Sequence, residues 1–145
     1  MFNKDKTIRF EIVTPERVVL KEEIYQVTVP TRDGEITVLP DHMPLVSILN
    51  PGVVEIKKHD GSINVMSLSG GFIEVLRNKV VILADTAERA EEIDLERAEE
   101  ARSRAEEAIK DLRQFDAERY ANIAAQIAKE LARTKAVNRW RNLKK

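Results

Sequence analysis

The chain has 145 residues, which is typical of one domain, or of one small domain with an appendage. Charged residues make up 34% and hydrophobic residues 43%, and the net charge of -1 excludes a basic nucleic-acid binder. Cysteine is absent, which excludes disulfides, thiolate catalysis and metal sites with cysteine ligands. No signal peptide is visible and no apolar run approaches the ~20 residues that span a bilayer, so we expect a soluble, cytoplasmic protein.

Apolar and polar residues alternate from residue 7 to residue 84, as they do in half-buried strands. Ile8, Phe10 and Ile12 are the clearest example, with Arg9 and Glu11 between them. Turn sequences separate such runs at residues 33–34, 50–52, 60–61 and 77–79. The pattern predicts an antiparallel β-sandwich or barrel with partly apolar faces, and such faces indicate a partner surface.

After residue 85 the apolar residues recur at steps of three and four, which predicts helix. Asp94 is placed to cap a first helix, and Asp116 is a candidate cap for a second. The first helical stripe contains Ala98, Ala101, Ala105, Ala108, Leu112 and Phe115. The second stripe contains Tyr120, Ala124, Ile127, Leu131 and Thr134. Neither Gly nor Pro forces a break, so a hairpin and a single rod of roughly 75–80 Å both remain open. Because alanine buries little area, we expect weak docking, which suits a segment that switches.

Catalytic chemistry is sparse in this sequence. His59 precedes a turn and is expected to be exposed, while His42 has no nucleophile or carboxylate pair at a suitable spacing. Residues 67–71 lack the G-x-S-x-G pattern, so their glycines are expected to permit close backbone approach. A small enzyme that uses His42 with Asp41, and a coiled-coil adaptor built on the alanine repeats, are the weaker alternatives.

Several motifs resemble the epsilon subunit of F-type ATP synthase over most of the chain. They are Val13-Thr14-Pro15, Gly34-Glu35-Ile36, residues 39–45, Pro51-Gly52, residues 69–75 and residues 80–88. The sequence departs from the family at Thr37 and Asp41, where the family usually has glycine. Aspartate tolerates a left-handed backbone, so we expect the loop around Asp41 to persist. The resemblance implies a β plus α protein, with an N-terminal antiparallel β-sandwich in residues 1–87 and a C-terminal two-helix hairpin, able to extend, in residues 88–145.

The resemblance implies a non-catalytic subunit of the central stalk, which couples ion flow to ATP synthesis and inhibits ATP hydrolysis through its C-terminal helices. Its partners would be the gamma subunit, the c-ring and the catalytic beta subunits. It would lie at the cytoplasmic face of the cell inner membrane, attached only through the complex. The residues expected to face the c-ring are Arg32, Asp33, Glu35 and His42.

The end of the second helix is strongly basic, which suits an acidic target on the beta subunit. The residues expected to bind that target are Arg133, Lys135 and Arg139. We expect docking onto the sandwich to explain this basic tip poorly, because the acidic charge of the sandwich is diffuse.

Residues 93–98 match an I/L-D-x-x-R-A motif through which several family members bind ATP. The residues that the resemblance assigns to this site are Glu88, Ile93, Asp94, Arg97, Ala98, Arg104 and Arg139. No cofactor is required, and ATP would be regulatory. On the residues alone, Arg97 and Arg104 lie on one side of a helix and can grip phosphates.

A second interpretation of residues 93–107 stays open beside the nucleotide site. Asp94 would cap the helix, and the two arginines would pair with Glu100 and Glu107 on a solvated face. For the whole chain, the main alternative function is a free-standing nucleotide-sensing module. Co-purification with a gamma subunit distinguishes it from the stalk subunit.

Overall fold

The computed structural model describes residues 5–112 and 116–145. The strands in these residues are β1 (Ile8–Val13), β2 (Val18–Ile24), β3 (Gln26–Thr31), β4 (Gly34–Val38), β5 (Leu45–Leu49), β6 (Gly52–Lys57), β7 (Ile63–Leu68), β8 (Gly71–Val75), β9 (Lys79–Ala84) and β10 (Ala87–Arg89). A 3-10 turn at Ala90–Glu92 leads to helices α1 (Leu95–Lys110) and α2 (Ala117–Leu143). The predicted fold class, a β-sandwich followed by two helices, is confirmed.

The strands form one sheet in the order β10-β7-β6-β3-β5-β8-β9-β1-β2, and β4 pairs with β3 beside this path. Every pairing is antiparallel except that of β1 with β9, which is parallel. One pairing thus departs from the antiparallel pattern expected for the sandwich. β1 and β9 lie far apart in the chain, so no tight hairpin fixes their relative direction.

The predicted alternation is confirmed, because Ile8, Phe10 and Ile12 are almost completely buried. They join inward-facing residues from the other strands in one core. The close backbone approach expected at residues 67–71 occurs at Gly71, the first residue of β8. Gly71 has a φ of 145°, and a Cβ atom there would lie 2.1 Å from the carbonyl oxygen of Leu83. Any side chain at this position would collide with β9.

The helices fold back as a hairpin, with α1 packed on α2 and α2 packed on β6 and β7. Asp94 and Asp116 are confirmed as N-caps: their carboxylates accept the backbone N–H groups of Arg97 at 3.2 Å and Arg119 at 3.1 Å. Phe115, predicted in the first stripe, lies outside the described residues. β10 pairs with β7, so the division predicted between residues 87 and 88 falls inside a strand.

The buried face of α2 differs from the predicted one. Tyr120 and Leu131 of the predicted stripe are exposed. The buried residues of α2 are Glu130, Ala132, Ala136 and Val137. The reason is that α2 contacts both α1 and the sandwich, so two neighbours at different angles determine which residues are covered. In α1, by contrast, Ala98 and Ala105 of the predicted stripe are buried.

Candidate functional site

The hairpin meets the sandwich through a second, smaller apolar cluster. Its buried members are Val65, Ala90, Ile93, Ala136 and Val137, and Val53, Ile63, Leu95 and Trp140 pack around them. Three of the buried members, Val65, Ile93 and Val137, each contribute ~1.5–3 kcal/mol when fully buried. Polar contacts at the same interface add to this apolar contact.

Arg133 of α2 is bonded to two carboxylates at this interface. Its Nε donates to Oε2 of Glu88 in β10 at 2.8 Å, and its NH1 group donates to Oε2 of Glu130 at 2.9 Å. The Arg133 side chain is only 19% exposed and that of Glu130 only 7%. Burial lowers the pKa of Arg133, but the hydrogen bond and charge of Glu130, together with Glu88, outweigh it and raise that pKa above its ordinary value. The guanidinium therefore remains charged.

A second ion pair joins α2 to the sandwich. The Nε of Arg139 donates to Oε1 of Glu55 in β6. Arg133 and Arg139 thus both find carboxylates on the sandwich, and the expectation that docking explains the basic tip poorly is wrong. The matching acids stand 45 and 84 positions away in the sequence, so the charge pattern of the helix does not reveal them. Lys135, the third predicted residue, is exposed and makes no ion pair with any described residue.

The residues predicted to bind nucleotide are divided between two places. Glu88, Ile93 and Arg139 lie in the hairpin–sandwich interface. Arg97 and Arg104 are exposed on α1, and Arg97 is 84% exposed. In the docked form, Glu88 and Arg139 are thus held by ion pairs, while the two arginines of α1 are exposed to solvent.

Asp94, at the start of α1, serves the helix itself. It accepts the N–H of Arg97 and also forms an ion pair with the Arg97 side chain at 3.7 Å. Arg104 makes no ion pair with a described residue, so the pairs predicted with Glu100 and Glu107 are absent from the described part of the chain. Ala98 is completely buried and provides packing rather than a polar contact.

The loop at residues 39–44 keeps the conformation that glycine would allow. Asp41 has a φ of 62°, pairs with Lys6 and donates its N–H to the carbonyl of Arg77 at 3.0 Å. The Nδ1 of His42 lies 2.7 Å from the carbonyl oxygen of Met43, so its partner is backbone and not a nucleophile. Among residues 5–112 and 116–145, no group of three or more His, Asp or Glu is arranged to hold a metal.

The tip of the β3–β4 hairpin carries three more of the predicted partner residues. Arg32, Asp33 and Glu35 are all exposed there. His59, which was predicted to be exposed beside its turn, is exposed and meets Tyr25 edge to face.

The outer face of the sandwich carries a continuous apolar stripe. Strand pairing places Ile48, Phe72, Leu83, Val13 and Val18 side by side across β5, β8, β9, β1 and β2. Phe72 is 54% exposed and Leu83 56% exposed, and Ile48 and Val18 are exposed as well. The sequence indicated a partner surface without naming its residues. The available signal was a large apolar residue at the outward position of several strands.

A sandwich with an uncovered apolar stripe and a docked helical hairpin is typical of a subunit that works within an assembly. The chain matches the family described as ATP synthase, Delta/Epsilon chain, beta-sandwich domain, over residues 7–90. It is 53% identical over 104 residues to the ATP synthase epsilon chain of Herpetosiphon aurantiacus, covering 72% of this chain and 76% of the relative. The corresponding protein of Desulforamulus reducens is 49% identical over 104 residues, with coverages of 72% and 78%.

Two solved assemblies contain chains of similar structure. One is the OSCP/F1/c-ring of Euglena gracilis mitochondrial ATP synthase, with a TM-score of 0.77, 25% identity and coverage of 90% of this chain and 81% of that one. The other is the central stalk and c-ring of Tetrahymena thermophila mitochondrial ATP synthase, with a TM-score of 0.65, 15% identity and coverages of 93% and 99%. This second likeness concerns the fold alone.

The chain belongs to the epsilon chain family of ATP synthase. Neither helix in the described residues is long and apolar enough to cross a lipid bilayer.

Proposed function

We propose that this chain is a non-catalytic subunit of the central stalk of a rotary ATP synthase, and that its sandwich binds the gamma subunit. The observation that carries the proposal is the apolar stripe of Ile48, Phe72, Leu83, Val13 and Val18 on the outer face. Exposed apolar area of this extent across five strands is costly in water and is relieved when a partner covers it. Membership of the epsilon chain family supports gamma as that partner.

The β3–β4 tip is the part of the sandwich that faces the c-ring in this proposal. Arg32, Asp33 and Glu35 are exposed there, near the Leu49 end of β5. His42 lies in loop 39–44, beyond the opposite end of β4 and near Arg77, so it would need a separate contact. Contact through the tip would hold the chain at the cytoplasmic face of the cell inner membrane, attached only through the complex. Support comes from the Euglena assembly, whose described parts include F1 and the c-ring.

The hairpin acts as a brake on ATP hydrolysis in this proposal and thereby favours coupling of ion flow to synthesis. In the docked form, Arg133 and Arg139 are occupied by carboxylates of the sandwich. When the hairpin extends, these arginines and Lys135 become free to contact acidic segments of the catalytic beta subunits. Arg133 and Arg139 can therefore bind either the sandwich or the beta subunits, and a two-state regulator requires such a pair of alternative contacts.

The test is made on the assembled enzyme, with and without residues 94–145. We expect the truncated chain to co-purify with gamma in normal amount and the complex to hydrolyse ATP several-fold faster. Failure to co-purify would contradict the placement of the gamma contact on the sandwich. If a normally assembled complex hydrolyses ATP at an unchanged rate, the hairpin is not a brake and the chain serves only as a structural link.

A regulatory ATP site on α1 is a second part of the proposal. What supports it is the pair of exposed arginines, Arg97 and Arg104, on a helix that begins at the capped Asp94. Both guanidinium groups are accessible to phosphate oxygens, which they can bind bidentately. By resemblance Arg139 and Glu88 belong to this site as well, and in the docked form they are paired with Glu55 and Arg133. Any contact of theirs with ATP would therefore compete with ion pairs that hold the hairpin.

A further inference from the structure

Arg133 is a largely enclosed cation between the hairpin and the sandwich. Its side chain is 19% exposed, whereas that of Arg139 is 49% exposed and meets the single carboxylate of Glu55. We propose that Arg133, Glu88 and Glu130 form an ion-pair latch, named here the α2 latch, which helps to hold the hairpin docked. Within the latch, only the bond between Arg133 and Glu88 breaks when the hairpin leaves the sandwich. The proposal extends the regulatory role of the hairpin given above, on which it rests for its biological purpose.

Glu130 is the residue that makes the α2 latch reversible. It lies one helical turn before Arg133 on α2, so it moves with Arg133 when the hairpin leaves the sandwich. The guanidinium therefore keeps one carboxylate partner in both states and is never left unpaired during release. Without Glu130, Arg133 would lose its only carboxylate partner on release and would be hydrogen-bonded by water alone.

Arg133 is also prepared for a replacement partner. A guanidinium carries five N–H donors, and the bond to Glu130 uses only one of its nitrogens. Once Glu88 is released, the Nε edge is free for another carboxylate, such as one on an acidic protein surface. Because the docked Arg133 side chain is only 19% exposed, binding of such a surface through Arg133 competes with docking on the sandwich.

The strength of the α2 latch depends on ionic strength. Because the Arg133 guanidinium stays charged, the latch does not open by losing the arginine proton. Dissolved ions screen the attraction between Arg133 and Glu88, whose carboxylate is 38% exposed. The enclosed pair of Arg133 with Glu130 is screened less and persists.

The test uses the full chain alone and follows docking by the fluorescence of Trp140. This is the single tryptophan of the sequence, and it packs in the cluster between hairpin and sandwich. We expect Arg133→Gln to shift the docking equilibrium about tenfold or more toward the undocked form. The matched control is Lys135→Gln, which removes the same charge from an exposed position of the same helix and should change the equilibrium less than about twofold.

Glu88→Gln should reproduce the effect of Arg133→Gln, and the double variant should add little to either, since both changes break one bond. Additive effects, or an equal effect of Lys135→Gln, would overturn the proposal. If Arg133→Gln lowers expression, wild-type chain provides a second measurement. Poly-L-glutamate at low salt should displace its hairpin, and fluorescence indifferent to both salt and this probe would also overturn the latch.

These results are independent of the proposed function, because neither gamma nor beta subunits are present. If the free chain shows the latch but deletion of residues 94–145 leaves hydrolysis by the complex unchanged, the brake is refuted and the latch stands. If the free chain shows no latch but the deletion raises hydrolysis, the latch is refuted and the brake stands.

Discussion

Phe72 of β8 lies directly opposite Leu83 of β9, and both side chains are more than half exposed on the outer face of the sandwich. Residues at adjacent positions of the same strands, such as Ile73 and Ile82, are completely buried. Both faces of this part of the sheet are thus apolar, but only one is covered within the chain. The uncovered face provides the first prediction.

Replacing Phe72 and Leu83 together by serine should weaken binding of the gamma subunit at least tenfold, since full burial of each side chain contributes ~1.5–3 kcal/mol. The isolated chain should keep its melting temperature, because neither side chain belongs to the core. Affinity for gamma and thermal melting are the two measurements. Glu74→Gln, an exposed change on the same strand, is the control. If the double variant binds gamma normally, the gamma contact must lie on another surface of the chain.

Lys135→Glu separates partner binding from docking. The Lys135 side chain is exposed and makes no ion pair in the described residues, so the docked hairpin should be unaffected. In the assembled enzyme the reversed charge should repel an acidic target and raise ATP hydrolysis, with a larger effect at low ionic strength. Reversal of Arg133 or Arg139 is less informative, because it also breaks their bonds to the sandwich. Hydrolysis that stays at the wild-type rate would argue against an electrostatic brake.

ATP should stabilise the isolated chain if the site on α1 exists. At a hundredfold excess over the dissociation constant, the gain in unfolding free energy is ~2.7 kcal/mol. Arg97→Ala and Arg104→Ala should each remove most of that gain, while Arg119→Ala, an exposed change on α2, should leave it intact. Thermal melting with and without ATP gives the answer. A melting temperature indifferent to ATP would leave Asp94 and Arg97 with the role of a helix cap alone.

Gly71→Ala should be severely destabilising, by more than ~4 kcal/mol, and can prevent folding. The added methyl group would meet the Leu83 carbonyl oxygen at 2.1 Å, and the φ of 145° disfavours any side chain. Gly61→Ala is the matched control: its φ is also positive, at 88°, but the space around it is open, so only ~1 kcal/mol should be lost. Urea unfolding measures both. Equal losses would show that strain in φ, rather than the collision with β9, limits position 71.

The Asp60 carboxyl, in the turn between β6 and β7, should titrate at unusually low pH. The hydroxyl and backbone N–H of Ser62 both donate to Asp60, at 2.6 and 2.8 Å, and hold the pKa of that carboxyl below its ordinary value. A lowered folded-state pKa means that this stabilisation is present above the unfolded pKa and is lost as the pH falls through the folded one. Carboxyl NMR should show the low value, raised by Ser62→Ala and retained by Ser62→Thr. An ordinary pKa in the wild type would contradict the bonded turn.

The sequence alone determined the features that depend on neighbouring residues. The alternation through Ile8, Phe10 and Ile12 predicted strands and their buried side, and the caps at Asp94 and Asp116 predicted where the helices begin. These signals are local, because a strand alternates every second residue and a cap bonds a group three positions later. Motif resemblance supplied the family, and the family match confirms it.

The tertiary structure decided the features that join distant residues. It chose the hairpin over the rod, turned α2 so that Leu131 is exposed, and paired Arg133 with Glu88 and Arg139 with Glu55. It also aligned the outer stripe, since five strands from across the chain share that register. No local pattern encodes such contacts, because their energy depends on which surfaces meet in three dimensions. A basic helix that the sequence assigned to an outside target thus proves to have carboxylate partners within its own chain.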